Sequence, residues 1–141
     1  MNIEQLKLLS NLEINRLCAV NIMGWEVITE HEDLGNRRQR SDYEVGGIIA
    51  LYGKRWMARR QGKSSYWNPS EDMNDALLVV AKLNELGWML YKFANTLSGQ
   101  SVPDGFLTVF LHIQNGNGLE CTEDTPTRSI INAALLAVMD S

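Results

Sequence analysis

Cysteine occurs only twice in this 141-residue chain, at Cys18 and Cys121. Two thiols so far apart, with no CxxC and no Cys/His cluster, exclude a disulfide scaffold and a structural zinc site. Histidine is equally scarce. His31 and His112 sit in His31-Glu32-Asp33 and His112-Ile113-Gln114, so the paired H-x-T/S motifs of a phosphoesterase are missing. The first of these runs reads as a solvated loop and the second as a strand residue. No serine stands in G-x-S-x-G, and no P-loop is present. Gly46-Gly47 and Gly116-x-Gly118 do not precede a helix, so neither is a phosphate cradle. No apolar run reaches the roughly 20 residues that cross a bilayer. The opening Met1-Asn2-Ile3-Glu4 lacks the basic-then-apolar order of a signal peptide. These absences predict a cytoplasmic, non-enzymatic protein with no catalytic residue, no cofactor, no metal and no membrane contact.

What is present fits a single domain over residues 1–141. The chain is 45 % apolar and 21 % charged, a composition that excludes disorder and supplies one core. The net charge of −4 is unevenly spread. Residues 37–63 hold eight of the 13 basic side chains against two acids, Asp42 and Glu44, giving +6 there and −10 elsewhere. A local excess of this kind points either to a solvated insertion or to a surface that meets phosphate or an acidic partner.

Hydrophobic spacing gives the elements. Ser10-Asn11-Leu12-Glu13 has the form of a capping box. Ile14, Leu17, Cys18 and Ile22 follow at helical spacing, and Gly24 closes the helix. Residues 25–29 read as a strand, residues 31–42 as a polar loop, and residues 43–52 as a strand bent at Gly46-Gly47. Gly53-Lys54 forms a two-residue hairpin turn. The resulting register pairs Tyr52 with Arg55, Leu51 with Trp56, Ala50 with Met57, Ile49 with Ala58 and Ile48 with Arg59. Alternation then gives an apolar face (Ile49, Leu51, Trp56, Ala58) and a mixed face (Ile48, Tyr52, Arg55, Met57, Arg59), with Arg60 nearer the strand end. Asn68-Pro69 ends the extended segment. Ser70 is placed to cap a helix whose core stripe is Met73, Ala76, Leu77, Val80, Leu83 and Leu86. Gly87 stops it. Residues 88–95 and 106–114 read as strands, and Asn115-Gly116-Asn117-Gly118 turns the second into a partner over 119–122. Thr125-Pro126 opens a last helix that buries Ile130, Ile131, Ala134, Leu135 and Val138. Three helices with a mostly antiparallel sheet make an α+β domain.

The stretches INRLCAVNIMGWEV (14–27), YWNPSEDMNDALLVVAKL (66–83) and TEDTPTRSIINAALLAV (122–138) resemble the phage ABA sandwich domain family of small phage and prophage proteins. The resemblance implies a three-layer α/β/α sandwich with a mostly antiparallel sheet, and residence in a bacterial host's cytoplasm. It implies no activity. The chain departs from the pattern at about residues 31–65, where the resemblance implies a shorter, less basic connection. That departure coincides with the +6 stretch and marks it as an inserted, protruding basic hairpin.

The candidate binding residues are therefore Arg37, Arg38, Arg40, Tyr43, Tyr52, Arg55, Arg59, Arg60, Lys63 and Tyr66. Arginine forks donate bidentately to phosphate, and tyrosines stack on bases. Trp56 and Trp67 read as core. The expected function is anti-defence: a sponge that sequesters a nucleotide second messenger, as a homo-oligomer. The alternative is a protein–protein inhibitor of a bacterial defence or host complex, in the manner of anti-CRISPR proteins. Direct binding to nucleic acid is disfavoured by the acidic remainder of the chain.

Overall fold

The computed structural model describes residues 2–28, 46–96 and 105–139. Strand β1 (Glu26–Ile28) runs parallel to β2 (Ile48–Tyr52); β3 (Arg55–Arg60) and β4 (Lys63–Trp67) follow antiparallel, giving one sheet in the order β1-β2-β3-β4. A second sheet is the antiparallel meander β5 (Trp88–Thr96), β6 (Gly105–His112), β7 (Gly118–Glu123). The helices are α1 (Ile3–Leu8), α2 (Asn11–Leu17) with a wide π-type extension over Cys18–Ile22, α3 (Met73–Glu85) and α4 (Pro126–Met139). The fold is α+β and sandwich-like, with mostly antiparallel pairing, as expected. Its strands nevertheless form two sheets where one is expected.

The reason lies in α4. Its buried positions run from Thr127 through Ala137 almost without interruption, so the helix needs cover all round rather than on one stripe. Strands β6 and β7 cover one side, and α3 with the extension of α2 covers the other. A buried hydroxyl pair joins β6 to α4 inside this packing. Thr108 Oγ1 and Ser129 Oγ lie 2.6 Å apart, and Ser129 Oγ also donates to the Cys121 carbonyl.

The first sheet docks on α2 through its tryptophans. Trp56 Nε1 donates to the Leu12 carbonyl at 2.8 Å, and Trp67 Nε1 to the Asn15 carbonyl at 2.9 Å. Both indoles are buried, as their place in the sequence implies. The five predicted pairs across the Gly53-Lys54 turn are all observed. A second hairpin follows, turned at Gln61-Gly62, which the sequence reading does not anticipate.

Ser10 caps α2 by accepting from the Glu13 N–H at 3.2 Å. Gly24, at φ +74°, lets the Trp25 N–H close that helix onto the Ala19 carbonyl. The cap of α3 is Asp72, which accepts from the N–H groups of Asn74 and Asp75, and not Ser70. Ser70 is buried instead, because its N–H is claimed by the Asn15 side chain. The buried stripe of α3 is Ala76, Val79, Val80 and Leu83; Leu77 and Leu86 face outward. Leu51 is likewise exposed, since it lies at the hairpin tip beyond the reach of α2. Among the described residues, no helix is long and apolar enough to cross a membrane.

Candidate anion-binding site

Residues paired across an antiparallel ladder point to the same face. In the first sheet, the rows Ile49–Ala58–Ser65, Leu51–Trp56–Trp67 and Arg60–Lys63 share the side that meets the core. The rows Ile48–Arg59–Ser64, Ala50–Met57–Tyr66 and Tyr52–Arg55 share the other. Alternation along β3 therefore splits the candidate residues into two patches at opposite ends of the strand. Arg37, Arg38, Arg40 and Tyr43 lie outside the described residues.

The first patch is at the hairpin tip. The Arg55 guanidinium stacks over the Tyr66 ring, 4.6 Å from its centroid, with Tyr52 in the same row as Arg55. Such a pair presents a cation and an aromatic edge together. Arg59 is on this face but partly buried, beside a small apolar cluster of Ile28, Ile48, Ala50 and Met57. A groove of about 460 Å³ runs from Lys54 and Arg55 to Glu71, Asp72 and Asp75. One wall is basic and the other acidic, so the groove as a whole has no preference for an anion.

Asp75 on that acidic wall accepts from the Asn68 N–H at 2.9 Å. Burial pushes its carboxyl pKa up, and neighbouring Asp72 adds to this, while the Asn68 hydrogen bond and Arg60 pull it down. A raised carboxyl pKa means that the folded chain holds more protons than the unfolded one between the two values. Stability is therefore lost as pH rises from the unfolded value through the folded one. Asp75→Asn keeps the acceptor for Asn68 and removes the charge. In urea titrations the variant should gain on the wild type as pH is raised from about 3 to about 7. A constant difference would remove burial of this charge as a factor in stability.

The second patch is the end of the sheet at the Gln61-Gly62 turn. The Arg60 guanidinium lies over the buried Trp25 ring, 5.4 Å from its centroid, and donates to Ser65 Oγ at 3.3 Å. Trp25 also packs against Trp67, with centroids 4.6 Å apart. An open cleft of about 610 Å³ is lined here by Trp25, Arg60, Gln61, Lys63, Ser64 and Ser65, with Met23 and Gly46 at its border. Arg60, Lys63 and the Ser65 hydroxyl share the side of the sheet that faces it, Ser64 borders it from the opposite row, and no carboxylate is among its described lining residues. Gln61 holds φ +50°, in the left-handed region that costs a side-chain-bearing residue roughly 1 kcal/mol. Glycine or asparagine would meet the turn's needs more easily. A strained residue at the cleft's rim is the kind of feature that gathers at binding sites.

Sequence reasoning singled out Arg60 and Lys63 but missed Trp25, Gln61, Ser64 and Ser65. The signal was the Gln-Gly pair followed by the polar run Lys63-Ser64-Ser65, which folds the strand back on itself.

Elsewhere the polar groups are structural. Burial pushes the Cys121 thiol up to about 12, helped by Glu123, and pushes the Cys18 thiol up as well, so neither is a nucleophile at neutral pH. His112 Nδ1 accepts from the Gln114 N–H at 3.3 Å while its ring meets Trp88 edge to face. Arg128 donates to Asn132, Asn11 and the carbonyls of Leu6 and Leu9, tying the α1–α2 junction to α4. Among the described residues, no group of three or more His, Cys, Asp or Glu side chains is placed to hold a metal ion. No family model, curated protein or solved structure matches the chain.

Proposed function

We propose that this chain is a non-catalytic binding protein that captures a phosphate-bearing small molecule, a nucleotide signal, in the cleft at the Gln61-Gly62 turn. The observation that carries this reading is the cleft itself, where Arg60 and Lys63 face a space with the Ser65 hydroxyl and no described carboxylate. A volume of about 610 Å³ lies within the range that small-molecule sites occupy. Arg60 is held by Trp25 and Ser65, so little side-chain freedom is lost when it meets a phosphate. The resemblance of residues 14–27, 66–83 and 122–138 to phage ABA sandwich proteins supports a setting inside an infected bacterium, where a non-catalytic binder of this kind would sequester a nucleotide immune signal.

A second reading attaches to the hairpin tip. Exposed Tyr52 and Tyr66 flank Arg55, and the groove beside them is acidic on its far wall. Tyrosine and arginine are the residues that dominate protein interfaces, and a wall of mixed charge suits a protein better than a phosphate. That reading is an inhibitor of a defence or host protein.

One experiment separates the two. The protein is purified from bacteria with an active nucleotide-signalling defence system, denatured and filtered, and the filtrate is analysed by mass spectrometry. Wild type should release a nucleotide that is reduced at least tenfold in an Arg60→Ala/Lys63→Ala variant and retained in an Arg55→Ala/Arg59→Ala variant. Loss in the second variant alone would move the ligand to the outer sheet face. An empty wild-type filtrate, with the signal confirmed in the cells, would overturn the nucleotide reading and favour capture of a protein at Tyr52, Arg55 and Tyr66.

A further inference from the structure

Among the described residues, the second sheet packs against the core on one face only. Its inner face meets α4 through Thr108, Phe110 and Cys121, all buried. The outer face includes three rows paired across all three strands: Met89–Leu111–Gly118, Lys92–Val109–Glu120 and Ala94–Leu107–Thr122. An antiparallel sheet with one solvated face ordinarily shows polar residues there. Here the whole central strand contributes Leu107, Val109 and Leu111, and neither these nor Met89 belong to either hydrophobic cluster of the fold. Met89 is 46 % exposed.

We propose that this face is a dimer interface occupied by the same face of a second copy. The argument is the distribution of charge and bulk over the three rows. The central row carries Lys92 on one edge strand and Glu120 on the other, with Val109 between them. A half-turn about an axis parallel to β6 lays β5 of one copy over β7 of the other. Lys92 then faces Glu120 of the partner subunit, and Glu120 faces the partner's Lys92. Two complementary contacts form from one pair of residues, as an isologous interface requires. The same operation sets the long Met89 side chain above the partner's Gly118, which has no side chain to obstruct it. It also sets the small Ala94 above the partner's Thr122, while Leu107, Val109 and Leu111 meet their own copies along the axis. A half-turn about an axis across the strands would instead place lysine on lysine and glutamate on glutamate. The sheets would stack about 10 Å apart, as in a β-sandwich. This assembly does not depend on the nucleotide reading, because it uses the opposite sheet.

The test is sedimentation equilibrium of the full chain with three charge variants: Lys92→Glu, Glu120→Lys and the two combined. Wild type should be dimeric at tens of micromolar, and each single reversal should raise the dimer dissociation constant at least tenfold, since it turns both contacts repulsive. The double exchange should restore dimerisation to within about threefold of wild type. Circular dichroism checks that each variant is folded. Val109→Asp, at the centre, should give a monomer. A monomeric wild type at about 100 µM would overturn the proposal. So would a dimer indifferent to the single reversals, or a double exchange that fails to recover.

Discussion

Replacing Asn15 by leucine should destabilise the folded chain by about 3 kcal/mol, although leucine is of similar volume and the position is buried. Asn15 sits on α2, yet its side chain serves a loop more than 50 residues later. Its Nδ2 donates to Asn68 Oδ1 at 2.9 Å, and its Oδ1 accepts from the Ser70 N–H at 2.9 Å. The Ser70 carbonyl in turn accepts from Thr127 Oγ1 at 2.6 Å, which carries the bracket on to α4. Leucine would leave the Ser70 N–H buried without a partner, at a cost of about 1–3 kcal/mol, and would weaken the hold on Asn68 by a comparable amount. Asn68 positions both the Asp72 cap region and Asp75 through its own backbone groups. The loss therefore spreads to the start of α3. Urea denaturation checks this: the midpoint should fall while the slope stays unchanged. A change below about 1 kcal/mol would mean that water replaces Asn15 in the variant.

Gly47→Ala should cost about 2–3 kcal/mol, from a single methyl group. An added Cβ at position 47 would stand 2.8–2.9 Å from three atoms of the Trp25 indole. The ring has nowhere to go, because Trp67 packs against it and Arg60 lies over it. The neighbour gives the control. Gly46 holds φ +86°, but a Cβ there would meet Trp25 at an ordinary 3.7 Å. Gly46→Ala should thus cost only backbone strain of about 1–2 kcal/mol. The expected order of thermal stability is wild type, then Gly46→Ala, then Gly47→Ala. Displacing Trp25 also moves the platform under Arg60, so Gly47→Ala should reduce nucleotide release as well. An unchanged release would separate the cleft from the ring beneath it.

Local chemistry was legible in the residues. Gly53-Lys54 set a two-residue turn, and that turn set all five pairs of β2 with β3. Gly24, Gly87 and Thr125-Pro126 marked helix ends where the chain has them. The helix cap at residues 70–72 was misplaced because Ser70 and Asp72 are both good caps locally. The choice between them was made by Asn15, far away in sequence. The candidate site was half legible: composition found the basic residues, but strand alternation and a second hairpin decided which of them stand together.

Period and turn chemistry act over a few residues, and so the sequence by itself determined most of the elements and their order, α1 and β4 excepted, along with the α+β class and the local excess of positive charge. Only tertiary structure decided that the strands divide into two sheets, because the all-round burial of α4 is met by surfaces from four separate stretches of chain. It alone decided that Arg60 and Lys63 face one cleft with Trp25 while Arg55 and Tyr66 face another. It also left Leu107, Val109 and Leu111 on an outer face. Which side of a strand is covered depends on what packs there, and no spacing along the strand records that.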